Sequence, residues 1–254
     1  MELIILLRDQ KLELRELLKD KKIIKREAQD HYKDIQKSHL IKVIIGIRRC
    51  GKSVLTNLFL LGKKFAYMNF DDERLSNYDT TQILSSFYEI YGKDVKILFL
   101  DEIQNLEKWE LFANRLQRLN FNIYITGSNS KLLSKELATH LTGRHIEIEL
   151  FPFSFREYLS TINFKEETES SIGKGSIKHE LKNYLDNGGF PEIIVEKENS
   201  KRYLRDLYGK IIERDVINRY DISYKKTFKE IAMALLSNPG GYISYNRLKK
   251  QFNI

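Results

Sequence analysis

Residues 46–53 read GIRRCGKS, a complete G-x-x-x-x-G-K-[ST] phosphate-binding pattern between the apolar run Ile41–Ile45 and the helix-forming stretch Val54–Leu61. Strand, glycine loop and helix in that order restrict the chain to folds that aim a helix N-terminus at a phosphate chain. Gly46 and Gly51 are expected to permit the backbone conformations that turn successive N–H groups inward onto phosphates. Lys52 is expected to reach the β- and γ-phosphates, and Ser53, opening the helix, to ligate Mg²⁺. Together with Arg48, Arg49, Cys50 and Val54, these residues form the candidate nucleotide-binding set. The two arginines are candidates for phosphate or interface contacts, whereas Cys50 fills a variable position of the pattern.

Residues 97–104, ILFLDEIQ, form an apolar run ending in two acids, as expected of a buried parallel strand that delivers its last residues to a ligand crevice. Asp101 is the candidate for holding the metal through a water. Its neighbour Glu102 is the candidate base that polarises the attacking water. Phosphoryl transfer asks mainly for positioning and charge neutralisation, and the two segments supply a cradle, a cation, a metal site and a base.

A further strand, Phe121–Ile125, runs into TGSNS, which puts Thr126, Ser128 and Asn129 where polar groups meet a γ-phosphate. Ser128 is the first choice for that sensing role; a turn followed by a helix cap explains the same residues equally well. If the strand Lys64–Phe70 lies beside the Asp101 strand, Asn69 is placed to hold Glu102 in an inactive orientation between turnovers.

Leu3–Leu18 has the apolar spacing of an amphipathic helix, and the segment to His39 is expected to pack beside the nucleotide core, with Ile23, Ile24 and Arg26 flanking the base. From Lys42 to Leu150 strands alternate with helices over 54–61, 81–91, 106–119 and 130–141, the pattern of a parallel sheet covered on both faces. Trp109, with Leu106, Leu111, Phe112 and Leu116 on an amphipathic helix, reads as a core anchor. After Phe151 the chain becomes helical: 178–187 and 200–219 are expected helices, parted by GGFPE, a tight stop rather than a second phosphate site. GKGS at 173–176 lacks the glycine spacing and preceding strand of such a site. The last residues, from Phe228, give an amphipathic helix, a Pro-Gly-Gly turn and a helix opening at Ser244, the start of a helix-turn-helix or winged-helix unit that stops where a recognition helix would begin. The expected organisation is a helical segment over 1–40, a nucleotide core over 41–160, a helical region over 161–225 and an incomplete winged-helix domain over 226–254.

GIRRCGKS, ILFLDEIQ, ITGSNS, LTGRHIEIELFPFSFREYL, GGFPE and ISYNRLKK, in that order, closely resemble the prokaryotic AAA-type ATPases with a C-terminal winged-helix domain of unknown function. The resemblance implies an α/β P-loop NTPase core of five strands between helices, with ATP as nucleotide and Mg²⁺ as metal. It carries over Lys52 and Ser53 as phosphate and metal contacts, Asp101 as the metal acid and Glu102 as the base. Arg144 sits where such ATPases often place an arginine that completes a neighbouring subunit's site, and a surface or salt-bridge role fits it equally.

A net charge of +8, with basic residues gathered at 19–26, 201–219 and 247–250, permits nucleic-acid contact through the C-terminal helices. DNA, a protein partner and a second copy of the chain are therefore the candidate partners besides ATP. One cysteine excludes a disulfide framework. The absence of a signal-like segment and of any run of about 18 apolar residues leads to the expectation of a cytoplasmic protein without a membrane span. Three functional classes follow: an ATP-hydrolysing enzyme acting on a partner, a slow nucleotide-dependent switch, or a small-molecule P-loop kinase, which the Asp-Glu pair and the Ser128–Asn129 segment fit less well than hydrolysis.

Overall fold

The structure, a computed structural model, describes residues 2–20, 23–128, 141–165, 169–218 and 220–252. The chain divides into two compact units, Met1–Ser200 and Lys201–Ile254. In the first, strands β1 (Ile41–Gly46), β2 (Ala66–Asn69), β3 (Ile97–Asp101), β4 (Asn122–Ser128) and β5 (His145–Leu150) form one sheet in the order β2, β3, β4, β1, β5. Every pairing is parallel. Helices α1 (Glu2–Asp20), α2 (Glu27–His31), α3 (Lys52–Leu60), α4 (Thr80–Tyr91) and α5 (Trp109–Arg118) accompany the sheet, followed by α6 (Phe155–Thr161), α7 (Ser171–Asn187) and α8 (Pro191–Val195). This is the α/β architecture of a P-loop NTPase, as the alternation of apolar strands and helices predicts.

Strand alternation sorts the core into two layers. Ile41, Val43, Ile45, Ala66, Met68, Leu98, Leu100, Ile123 and Ile125 face one cluster with Leu3, Leu6 and Leu7 of α1, Ile83 and Phe87 of α4, and Trp109 and Phe112 of α5. Ile44, Tyr67, Phe99, Tyr124 and Ile148 face the other, with Leu55, Phe59 and Leu60 of α3. Trp109, 3% exposed, is the core anchor its helix spacing predicts. The first helix packs on β2, an edge strand whose open backbone is a liability. Gln10 closes it: its side-chain amide donates to the Asn69 carbonyl and accepts from the Asn69 N–H, both at 3.0 Å.

Some boundaries differ from the expectation. The helix expected over 178–187 begins at Ser171, because Ser170 Oγ caps it by accepting from the Gly173 N–H at 3.0 Å. GKGS is thus helical and makes no phosphate loop. The expected helix over 106–119 starts only at Trp109, after a short 3₁₀ turn, Ile103–Asn105. In the second unit, α9 (Ser200–Lys210) continues into a π-helical stretch, Ile211–Ile217, and α10 (Lys225–Leu236) and α11 (Tyr245–Phe252) follow. Neither α10 nor α11 contains a buried residue. No helix among the described residues is long and apolar enough to cross a membrane. Asn129 and residues 130–140 of the expected helix over 130–141 lie outside the described residues.

Candidate nucleotide-binding site

The loop between β1 and α3 owes its shape to its glycines, for two different reasons. Gly51 adopts φ +95° as it caps α3, a left-handed conformation that favours glycine. Gly46 has no positive φ; it is needed for space, since a Cβ there would lie 2.2 Å from the Leu150 carbonyl oxygen and 2.8 Å from Cys50 Sγ. The conformational role expected of Gly46 is thereby corrected to close packing against β5. Cys50 is fully buried, and burial raises its thiol pKa. Lys52 is 6% exposed, and its ammonium donates to the carbonyls of Gly46 at 3.2 Å and Ile47 at 3.3 Å. The cation is held inside the loop it would serve.

The acids follow from strand parity. Tyr67, Asp101 and Thr126 continue the α3-facing rows of β2, β3 and β4, and Ser53, in the first turn of α3, meets them on that same side. Asp101, 4% exposed, accepts from Ser53 Oγ at 3.0 Å on Oδ1, from Tyr67 Oη at 3.2 Å on Oδ2, and from the Thr126 hydroxyl. Burial pushes its carboxyl above the ordinary carboxylate range, the Thr126 and Ser53 hydroxyls pull it back, and the neighbouring Glu102 charge raises it again. Burial and the Asp101 charge in turn push the Tyr67 phenol upward. Tyr67 carried no signal of this in the sequence beyond its place in a strand.

Glu102 turns the chain out of β3 in a left-handed conformation, φ 50° and ψ 41°. Its N–H donates to Thr126 Oγ1 at 3.1 Å, so that one hydroxyl ties the two adjacent acids. Its carboxylate accepts from the Gln104 side chain. Asn69 pairs in register with Asp101, as the strand adjacency required, but its side chain accepts from the Asp71 N–H at 3.0 Å. Gln104, not Asn69, is the residue that engages Glu102. Ser128 lies opposite Gly46 in the β1–β4 register, which brings its backbone to the loop; its side chain lies outside what the structure describes. Arg144 is exposed at the opposite end of the sheet, its guanidinium donating to Asn114 Oδ1 at 3.2 Å. With the six residues of β5 in between, roughly 20 Å, it is remote from its own loop.

A cavity of about 390 Å³ opens beside the loop. Arg48, Arg49, Gly51, Lys52, Ser53 and Val54 contribute to it, with Asp71 and Glu102 from the strand ends. Ile23, Ile24 and Arg26 line it too. Sequence reasoning missed a further wall: Pro191, Glu192 and Val195, from the GGFPE segment read as a plain stop. Its signal was the Gly-Gly pair. Gly189 approaches Phe153 so closely that a Cβ would lie 2.4 Å from the Phe153 carbonyl oxygen, and that packing brings Glu192 within 3.4 Å of Arg49 in the loop.

Residues 38–159 match the family described as an AAA domain, and residues 178–254 match a domain of unknown function, DUF8612. The uncharacterized protein MJ1544 of Methanocaldococcus jannaschii is 37% identical over 96% of this chain and 58% of its own length. An uncharacterized protein of Haemophilus influenzae is 32% identical over 82% of this chain and 54% of its own length. The chain thus spans a little over half the length of the curated relatives it matches. The crystal structure of Pif1 helicase from Candida albicans overlaps 56% of this chain and 44% of that one at 14% identity with a TM-score of 0.36, too loose to bear on function. The match over 38–159, joined to a five-stranded parallel sheet with a glycine loop between β1 and α3, supports an AAA-type P-loop ATPase family for the core of this chain.

Proposed function

We propose that the chain is a Mg²⁺-dependent, ATP-binding and ATP-hydrolysing enzyme whose nucleotide state acts on a partner. The observation that carries this reading is the 3.0 Å contact between Ser53 Oγ, at the mouth of the loop, and Asp101 Oδ1, at the end of β3, two strands along from β1. Two oxygen ligands at that spacing, beside a buried lysine and a glycine cradle, suit a hard divalent cation. Ser53 directly and Asp101 through water would hold Mg²⁺, which when bound neutralises phosphate charge. Lys52 binds the β- and γ-phosphates, exchanging its loop carbonyls for phosphate oxygens. Glu102 orients and deprotonates the attacking water after releasing Gln104, and Ser128 senses the γ-phosphate. Arg144, remote from its own loop, serves a neighbouring copy. The partner, with DNA the first candidate, is assigned to the C-terminal unit, where Tyr245, 92% exposed, stands on a helix with Arg247, Lys249 and Lys250.

The hold of Gln104 on Glu102 favours one alternative, a slow switch in which ATP chiefly assembles a complex. Mg²⁺-dependent ATP hydrolysis by wild type and Glu102→Gln, with and without double-stranded DNA and at two protein concentrations, separates them. Turnover lost in the variant and raised by DNA or concentration supports the enzyme. Tight ATP binding without turnover in every condition supports the switch, and absence of ATP binding removes both.

A further inference from the structure

Arg26 lies before the residues that match the AAA domain, yet it is 5% exposed and reaches into the back of the phosphate loop. Its Nε donates to Glu157 Oε1 at 2.9 Å and its Nη2 to Glu157 Oε2 at 3.3 Å, a two-pronged pair in which both side chains are about 95% buried. Two donations remain for backbone: Nη2 to the Phe151 carbonyl at 2.7 Å and Nη1 to the Cys50 carbonyl at 3.0 Å. The guanidinium carbon lies 4.8 Å from the centre of the Phe153 ring. Glu157 is fixed in turn by the N–H groups of Glu27 at 2.7 Å and Ser154 at 2.9 Å.

Burying such a pair gives little net stability, because desolvation of both charges offsets their attraction. What it supplies here is an orientation. The peptide joining Cys50 to Gly51 is planar and trans, so its N–H points away from its C=O. Holding the Cys50 carbonyl on the Arg26 side therefore directs the Gly51 N–H the opposite way, at the residue whose φ of +95° shapes the loop. A Cβ on Gly51 would lie 3.4 Å from Arg26 Nη1, so the guanidinium sits directly beside this glycine.

We propose that Arg26, fixed by Glu157, is a positioning residue for the phosphate loop, presetting the Gly51 N–H for a nucleotide phosphate and making the segment before the AAA domain part of the nucleotide site. This rests on the reading of the loop as an ATP site. Loss of the anchor weakens ATP binding without touching the groups that act on the γ-phosphate.

The test measures binding of a fluorescent ATP analogue with Mg²⁺, KM and kcat for ATP, and thermal unfolding, for wild type, Lys52→Ala, Arg26→Met/Glu157→Met and Arg26→Lys. The Met pair removes both charges together and is expected to stay folded. Its affinity falls at least about tenfold, the scale of a lost hydrogen bond to a charged group, with KM raised in step and kcat within about twofold of wild type. Arg26→Lys, which keeps the charge and loses the planar fork, falls between the two. Wild-type affinity in a folded Met pair, or in Arg26→Lys should the Met pair not fold, overturns the positioning role while leaving the ATP site intact. A wild type that binds ATP no better than Lys52→Ala overturns the site reading itself, and the positioning role with it.

Discussion

The sheet buries a charged side chain at each end, and the two are accommodated in different ways. At the start of β1, Lys42 is fully buried, donating to the Ser38 carbonyl and to Asn122 Oδ1 at 2.7 Å, 5.4 Å from the centre of the Tyr124 ring. Burial, with the Lys63 charge adding to it, lowers its pKa to about 8. At the end of β3, Asp101 is equally enclosed, but its partners are the hydroxyls of Ser53, Thr126 and Tyr67. A backbone carbonyl has no other orientation to offer, whereas a hydroxyl rotates and accepts as readily as it donates, so Ser53 can turn from the carboxylate to a cation. Burial of a charge alone does not mark function. Exchangeable partners at the carboxyl ends of parallel strands, beside a cavity, do.

The largest break in this comparison comes from the loop. Lys52→Ala is expected to weaken ATP binding about 100-fold or more, read by equilibrium titration, with little loss of thermal stability. Next, Glu102→Gln is expected to keep ATP affinity while kcat falls at least about 100-fold, the usual contribution of a general base; equal turnover in the two proteins would remove Glu102 from the reaction.

Asp101→Asn sharpens the contrast between the two ends. Because burial holds the Asp101 pKa up, its charged form costs stability without a metal, and the neutral isostere is expected to raise the melting temperature in EDTA by about 2–4 °C while hydrolysis is lost. A lower melting temperature would mean that the three hydroxyls already compensate the charge. Lys42→Met, which likewise removes a charge that burial disfavours, should also raise the melting temperature at neutral pH, but with kcat per folded molecule unchanged. Between pH 8 and the ordinary lysine value of 10.5 the native state binds fewer protons at Lys42 than the unfolded chain, so its contribution to stability rises with pH through that window. Wild type should therefore gain stability relative to Lys42→Met as pH climbs from about 8, checked by denaturant titration at several pH values. The smallest effect is expected at the cavity mouth: Glu192→Gln removes a carboxylate beside the phosphate loop and frees Arg49, tightening ATP by about threefold at low salt and less at high salt.

Strand and helix positions in the core were legible because the apolar runs are nearly continuous and end on polar residues. Ile97–Asp101 is such a strand, whereas His145–Leu150, HIEIEL, alternates polar and apolar residues as an edge strand does. The phosphate loop was legible because its spacing is local. The sequence places Thr126 among polar groups near a γ-phosphate, and only the tertiary structure shows its hydroxyl engaged by Asp101 and by the Glu102 N–H. GGFPE was read as a stop because Gly and Pro end helices wherever they occur, and nothing local says what a stop packs against. Arg26, expected beside the base, lines the cavity and also holds the Cys50 carbonyl, a contact across 24 residues that no periodicity encodes.

The sequence by itself determined the order of elements, the loop, and the identity of the charged groups brought to it, since these depend on residue type at short spacing. Tertiary structure alone decided which groups meet. Strand order set β3 between β2 and β4, and side-chain parity then turned Tyr67, Asp101 and Thr126 to the side where α3 begins. A buried carboxylate takes whatever donors that packing delivers, and here it delivers hydroxyls that can be exchanged for a metal.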